Sequence, residues 1–531
     1  GDILGNLAYI LESEIEDLKR VPLFRLHLDE TEVAEGLSLT GFVENYGQAV
    51  GEDVTLLFRT LDGETVTFSM DTFHGGWKAP FAFRLPPRAP GEEVSFTAQI
   101  TYTSAGAGKT GETSRRMSLG AHTVRIVPRV VYGADPIGDA TISVENIETD
   151  FIGRFTEVQG FKNVFYLYKD IDGQMQKTPR SPEKIQAMVI NGPKRVGKSS
   201  LLHYLEKIVL EIPDKWVCVY FDPMGSKTIE DIFIGGFVSA WEKRYGAVSE
   251  SEAYRRILEK LPSGEFSAAT MEGFYRAFRD TFAPGRKILF IIDEFEKAMR
   301  LVDPGAVFDL LQHATKNYRD LISFAVCGAD DLAGYIFDRK HDTQFFSLAK
   351  LFRVGLMPRE EYELLLDAYQ TITSLTPDAQ AREALWQLTR GQVYYTQRIF
   401  DKIVDHYGVH PISGARNKIH LYDVYWAFGQ LRKEGTMFID IVGMFDKYQS
   451  GEREVMEALC AYATAPGACV SLSLIERKAG NVDVNMALSR LTMRGFVERV
   501  GEDYRFASEI YRIVFADYAP ESFYFIENGG N

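Results

Sequence analysis

The chain has 531 residues, 45% of them hydrophobic and 25% charged, ordinary globular content spread over too great a length for one core, so three or four domains are expected. A formal charge of −15 argues against a protein devoted to wrapping nucleic acid, while leaving room for a local basic patch. No apolar run approaches the ~18 residues of a membrane helix, no secretory leader is visible, and four scattered cysteines (Cys218, Cys327, Cys460, Cys469) form no metal-ligand spacing, so a reducing, cytoplasmic setting with no membrane contact is expected.

Within residues 1–22, Leu7, Ile10, Leu11, Ile15 and Leu18 fall at helical spacing with a charged back face, the pattern of a connecting helix. From 23 to 130 the period changes to two. Runs such as FRLHL, LSLTGFV, DVTLLFRTL, ETVTFSM, FAFRL, EVSFTAQITYT and HTVRIV alternate with Gly/Pro turns, which suggests an antiparallel β-sandwich. The stretch Ser38–Leu57 resembles bacterial immunoglobulin-like modules in which a strand ends in N-x-G. His27, His74 and His122 are scattered and form no catalytic cluster, so a binding or spacer role is expected. Ala105–Thr110 (AGAGKT) imitates half a phosphate loop. It lacks the first glycine and a following helix, and reads as a hairpin loop.

Residues 131–149 read as a linker, and 150–360 as a P-loop α/β domain. Its centre is Met188–Tyr204, MVINGPKRVGKSSLLHY: an apolar strand, a glycine-rich loop and an amphipathic helix. Gly192, Gly197, Lys198 and Ser199 match G-x-x-x-x-G-K-[ST] at every position. The glycines let backbone N–H groups turn toward phosphate oxygens, and the helix adds the positive end of its dipole. The loop Gly192, Pro193, Lys194, Arg195, Val196, Gly197, Lys198, Ser199, Ser200 is therefore the expected nucleotide-binding segment, with Lys198 on the β- and γ-phosphates and Ser199 on Mg²⁺.

Downstream, Trp216–Phe221 is a short buried strand, followed by three helical segments. Lys287–Glu296, KILFIIDEFE, has the continuous apolar run of a parallel strand covered on both faces. It ends in Asp293, expected to hold the metal, and Glu294, expected to polarise the attacking water as general base. The bland alternative is an acidic helix start. Leu321–Val326 ends in Cys327-Gly328-Ala329, which offers no polar sensing side chain; Asp330 or Asp331 could substitute. Phe352–Pro358 closes the domain.

Residues 361–445 read as a helical lid subdomain containing Leu388–Arg398 (LTRGQVYYTQR), where Arg398 either reaches the phosphates or is merely solvated. Residues 446–531 give three helical runs and a hairpin turning at Gly501, the pattern of a winged helix. Between 451 and 518 it holds eight Lys/Arg against ten Asp/Glu, and its third helix carries only Arg490 and Arg494, a poor electrostatic footprint for DNA. Packing or oligomer control is the favoured role. The expected fold is thus multidomain: an all-β sandwich, an α/β P-loop NTPase domain, a helical subdomain and a winged helix.

Taken together, DFIGR at 150–154, the phosphate loop, FIIDEFE, the RGQVYY turn and the closing winged helix resemble the archaeal-type and STAND ATPases, an AAA+-related group, over 150–525. The LTRGQVYYTQR segment is similar to that group's T-G-G-x-P-x-x-x-Q turn, with Arg390 and Val393 departing from it. The resemblance implies ATP with Mg²⁺, and places Ile152, Gly153 and Arg154 near the adenine and ribose. It also implies a slow, regulatory ATPase whose nucleotide state controls self-association or a separate effector protein, in settings that include bacterial defence against phage. Two rivals stay open: a DNA-binding initiator acting through the winged helix, and a pseudo-ATPase scaffold that holds nucleotide without turnover.

Overall fold

The computed structural model describes residues 21–34, 38–104, 114–127, 151–171, 174–223, 226–262, 266–299, 304–329, 332, 344–373, 375–409, 418–434, 451–463, 467–515 and 526–527. The helix expected at 6–20, the AGAGKT loop, the linker at 131–149 and Asp330–Asp331 lie outside them.

The first unit is built from β1 (Phe24–Leu28), β2 (Glu32–Ala34), β3 (Ser38–Asn45), β4 (Gly51–Thr60), β5 (Thr65–Phe73), β6 (Lys78–Arg84), β7 (Glu93–Ser104) and β8 (Ser114–Val127). One sheet has the order β1-β3-β6; the other runs β2-β8-β7-β4-β5 and ends on β21 (Ile526–Glu527), which pairs antiparallel with β5. Alternation decides which side faces in: Val54, Leu56 and Phe58 of β4 are buried, while Arg59 is exposed. Phe58 lies in ring contact with Phe68, Phe81, Phe83 and Phe96, drawn from both sheets. The N-x-G at the end of β3 has a physical cause. Asn45 is fully buried; its Oδ1 accepts from the N–H groups of Leu23 and Gly47, each at 3.2 Å, and its Nδ2 donates to Ala49 O and Phe73 O, each at 2.9 Å. One amide satisfies four backbone groups in three stretches of chain, and a side chain at Gly47 would collide with Val21 O.

Among the described residues, the second unit holds five parallel strands in the order β12-β13-β14-β11-β15, where β11 is Met188–Asn191, β12 Trp216–Phe221, β13 Lys287–Ile292, β14 Ile322–Gly328 and β15 Lys350–Arg353. Every residue of β11, β13 and β14 is buried, as strands covered on both faces require. Helices α1 (Phe155–Phe165) and α2 (Lys198–Leu210) cover one face through Phe161, Phe165, Leu201 and Leu205. The other face carries α3 (Phe237–Tyr245), α4 (Glu252–Glu259), α5 (Ala268–Phe282) and α7 (Pro304–Asn317), after the short α6 (Glu296–Met299). Between α1 and β11 a separate antiparallel hairpin is formed by β9 (Tyr166–Ile171) and β10 (Gln174–Pro179).

The short α8 (Phe345–Leu348) precedes β15 and packs with the second unit, and the helical unit follows with α9 (Arg359–Thr373), α10 (Ala379–Thr389), α11 (Val393–Val409) and α12 (Leu421–Glu434). A short parallel pair links β16 (Thr376–Pro377), between α9 and α10, to β17 (Lys418–Ile419), just before α12. The last unit has α13 (Glu452–Tyr462), α14 (Leu472–Ala479) and α15 (Val484–Met493). Its ribbon has the order β18-β20-β19, from Val470–Ser471, Asp503–Phe506 and Val497–Val500, and is followed by α16 (Glu509–Phe515). These two units are not separate in packing. Tyr362, Leu388, Phe428, Leu459, Leu488, Phe506 and Ile510 belong to one continuous apolar core.

Candidate active site

The phosphate loop leaves the end of β11 and enters α2. A Cβ at Gly192 would lie 2.1 Å from Val354 O, so the backbone passes where only glycine fits. Arg195 (φ 66°) and Gly197 (φ 89°) are left-handed, which curls the segment into the kind of concave row of amides that holds anions. Gly197 is the N-cap of α2 and offers no side-chain cap, so the first-turn N–H groups are left for a ligand. Lys198 Nζ folds back on the loop, donating to Gly192 O at 3.0 Å and Pro193 O at 2.8 Å.

Two strands away, Asp293 follows directly on the end of β13 and is 4% exposed. Its Oδ2 accepts from Ser199 Oγ at 2.7 Å and from Tyr220 Oη at 2.8 Å, and its Oδ1 accepts from the N–H of Glu294 at 2.8 Å. Burial and the adjacent Asp293 charge push the Tyr220 phenol far above its ordinary range, so it stays a proton donor. Glu294 is left-handed (φ 43°), a conformation that costs a non-glycine residue about 1 kcal/mol or more. Its carboxylate is half exposed and ion-paired with Lys297, whose Nζ also donates to Asp222 Oδ1 at 3.3 Å. Glu296 turns inward instead: its carboxylate accepts from Ala329 N at 3.2 and 3.3 Å, tying the end of β13 to the end of β14. That contact fills the wall where Cys327, Gly328 and Ala329 bring no polar side chain.

These groups surround an open cleft of about 430 Å³, lined by Lys194, Arg195, Gly197, Lys198, Ser199, Ser200, Asp293 and Glu294 among the sequence-expected residues. Gly192 and Pro193 line a second cleft instead, about 350 Å³, whose opposite wall includes Gly495 and Val497 of the last unit. Val196 is fully buried. Ile152, Gly153 and Arg154 line neither cleft. Arg154, 3% exposed, grips the back of the loop, with Nη2 donating to Val196 O at 2.6 Å and Nη1 to Gly355 O at 2.8 Å. Burial lowers its guanidinium pKa, with Glu157 and Glu361 opposing. Ile152 packs on the helical core, and Gly153 (φ 74°) fits against the Glu361 carboxylate.

Sequence reasoning missed Tyr220, Glu296, Lys297, Gln392, Tyr394 and Gln397. From the helical unit, Gln392 Nε2 donates to Lys194 O at 3.0 Å and the Tyr394 ring lies 4.4 Å under the Arg195 guanidinium. Gln397, 6% exposed, lines the cleft, whereas its neighbour Arg398 does not. The one local signal was the glutamine closing the LTRGQVYYTQ pattern. The last unit reaches the loop too: a Cβ on Gly495 would come 2.2 Å from Pro193 Cγ.

The donor set fits a hard divalent cation. Ser199 Oγ and Asp293 Oδ2 are oxygens 2.7 Å apart, close to the roughly 2.9 Å edge of an octahedron with ~2.0–2.1 Å bonds, the geometry of Mg²⁺.

No protein-family model matches the chain, and no curated protein does. Among solved structures it is similar to a Walker-type ATPase of Pyrococcus abyssi (13% identity, 69% of this chain and 96% of that one, TM-score 0.46). It is also similar to the ORC2 protein of Aeropyrum pernix in ADPNP–ADP complexes (12%, 71% and 98%, 0.44) and to the RuvB Holliday junction branch migration motor of Thermotoga maritima (15%, 71% and 97%, 0.34).

Proposed function

We propose that this chain is an ATP-binding and ATP-hydrolysing P-loop switch, AAA+-related, whose nucleotide state governs self-association or a separate effector protein. The observation that carries the reading is the 2.7 Å contact between Ser199 Oγ and Asp293 Oδ2, beside Lys198 and a curled, glycine-bearing loop. In this reading Lys198 leaves the carbonyls of Gly192 and Pro193 and takes the β- and γ-phosphates. The loop amides and the N-terminus of α2 hold the remaining oxygens. Ser199 and Asp293 would hold Mg²⁺, which when bound neutralises charge on the phosphate oxygens. Glu294 accepts the proton of the attacking water. Replacing Lys198 by Ala should abolish binding of a fluorescent ATP analogue; unchanged affinity would reject the site.

The switch is supported by how many units touch one loop. Gln392 and Tyr394 reach it from the helical unit, and Gly495 abuts Pro193 from the last unit. A ligand that reshapes the loop meets different contacts in each arrangement, which is what shifting an equilibrium requires. We read the first unit as an immunoglobulin-like sandwich with a spacer or binding role, and the last as a winged helix used for packing. Arg494, on which a DNA-reading third helix would depend, is 9% exposed with Nη1 bonded to Glu452 Oε2 at 2.7 Å. A defence setting rests on the sequence resemblance alone.

One observation favours a second reading. The Glu294 carboxylate is engaged by Lys297, which suits a scaffold that holds nucleotide without turnover. Bound nucleotide with no phosphate release, unaltered by Glu294→Gln, would select it.

A further inference from the structure

Phe42 stands in β3, yet its ring is 6% exposed within the apolar core of the helical unit rather than that of its own sheets. On the β side His27 stacks on it, ring centroids 4.5 Å apart. Lys78 Nζ lies 5.3 Å from the ring centroid and donates to Gln380 Oε1 at the start of α10. Helix α12 packs across β3 and β6. The ring therefore sits in the helical unit's core while its backbone stays in the sheet.

A polar contact stands beside this one. His420, 7% exposed, lies between β17 and α12. Its Nδ1 shares a 2.7 Å hydrogen bond with Asp378 Oδ2, and its Nε2 faces Glu30 Oε1 of the β unit at 3.7 Å. Among the described residues, the charged groups set against the ring come from both units. Asp378 caps α10 by accepting from Ala381 N at 2.8 Å, and Asp423 accepts from the N–H of His420 at 2.7 Å. Asp29 and Glu30 come from the β unit, and Lys418 Nζ approaches Glu30 at 3.8 Å. Burial opposes a charge on His420, but the Asp378 hydrogen bond and the fields of Asp29 and Asp423 outweigh it and raise the imidazole to about 9. The ring is therefore an imidazolium at neutral pH, bonded to a carboxylate of the helical unit while facing acids of the β unit.

We infer that the β unit is keyed into the helical unit as a single rigid body, so that a partner engaging the β unit and a nucleotide at residues 192–199 influence each other's binding. The coupling half of this rests on the ATPase reading; the keying does not. The helical unit touches the loop through Gln392 and Tyr394, so a body that includes the β unit moves or stays with that contact. Linkage makes the influence reciprocal.

Hydrogen exchange on the full chain, with and without ADP, tests this. Amides of β3 and of the first turn of α12 should be protected in the wild type and should exchange at least tenfold faster in Phe42→Ala and in His420→Gln. ADP should alter β3 and β6 exchange in the wild type and not in those variants. Glu30→Gln, which leaves the apolar core intact, should give a smaller change in the same direction and guards against simple misfolding of the other two. Wild-type junction amides exchanging as fast as exposed ones, or variants keeping both protection and the ADP response, would overturn the inference. If ADP does not bind at all, the nucleotide reading and the coupling fall together, and junction protection still decides the keying.

Discussion

Asp293 accepts hydrogen bonds from Ser199, Tyr220 and the N–H of Glu294, and of these three donors only Tyr220 could not be named from the sequence. Ser199 and Asp293 were legible because phosphate and metal chemistry demands particular residue types at fixed places on a strand and a loop. Tyr220 was not, since a phenol at the end of an apolar strand looks like any other core aromatic. Glu296 was hidden by being the third acid in a run, and only the fold shows its carboxylate tied to Ala329 N in the wall of the cleft. If Glu294 is the base, Glu294→Gln should leave nucleotide affinity unchanged and slow phosphate release by roughly 10²-fold or more, measured in single-turnover assays. His420 makes a prediction of its own. Its folded pKa, about 9, lies above the ordinary 6.5. The stability it contributes is therefore complete below about 6.5 and is lost as pH rises through 9, on the order of 1 kcal/mol per pH unit across that window. Denaturation midpoints at pH 7 and 9.5 should separate in the wild type and converge in His420→Gln. Asp29, raised to about 6 by burial, adds a loss of the same sign between about 4 and 6.

Elements divided into those with a local pattern and those without. The alternating strands of the first unit and the apolar strands β11, β13 and β14 announce themselves, because period two and unbroken burial each leave a mark on consecutive residues. The pairing order of the parallel sheet leaves none, nor does the return of β21 to β5, which joins residues more than four hundred positions apart. The N-x-G signal was readable as a family likeness, and its cause emerged only when Asn45 was seen to satisfy four backbone groups. The junction of strand and phosphate loop offers a sharp test. A Cβ at Gly192 meets Val354 O at 2.1 Å, so Gly192→Ala must push β11 and the segment after β15 apart. Urea denaturation should show a loss of about 1–3 kcal/mol, with nucleotide affinity falling as well, since the loop begins there.

At the scale of the molecule the sequence suggested a helical subdomain and a winged helix as successive pieces, and the structure gives them one shared core. Composition could not reveal this, because both pieces have ordinary apolar stripes and nothing local says which stripe faces which. If nucleotide governs assembly, light scattering after size exclusion should give different masses with ADP and with a slowly hydrolysed ATP analogue, and Lys198→Ala should abolish the difference. The Phe42 ring adds a practical corollary for anyone cutting this protein into pieces. A fragment ending near residue 127 would carry a bare phenyl ring into solvent, and the remainder would carry the dent it came from. Each half should be stickier and less soluble alone than the intact chain, and co-expression of the two should rescue both.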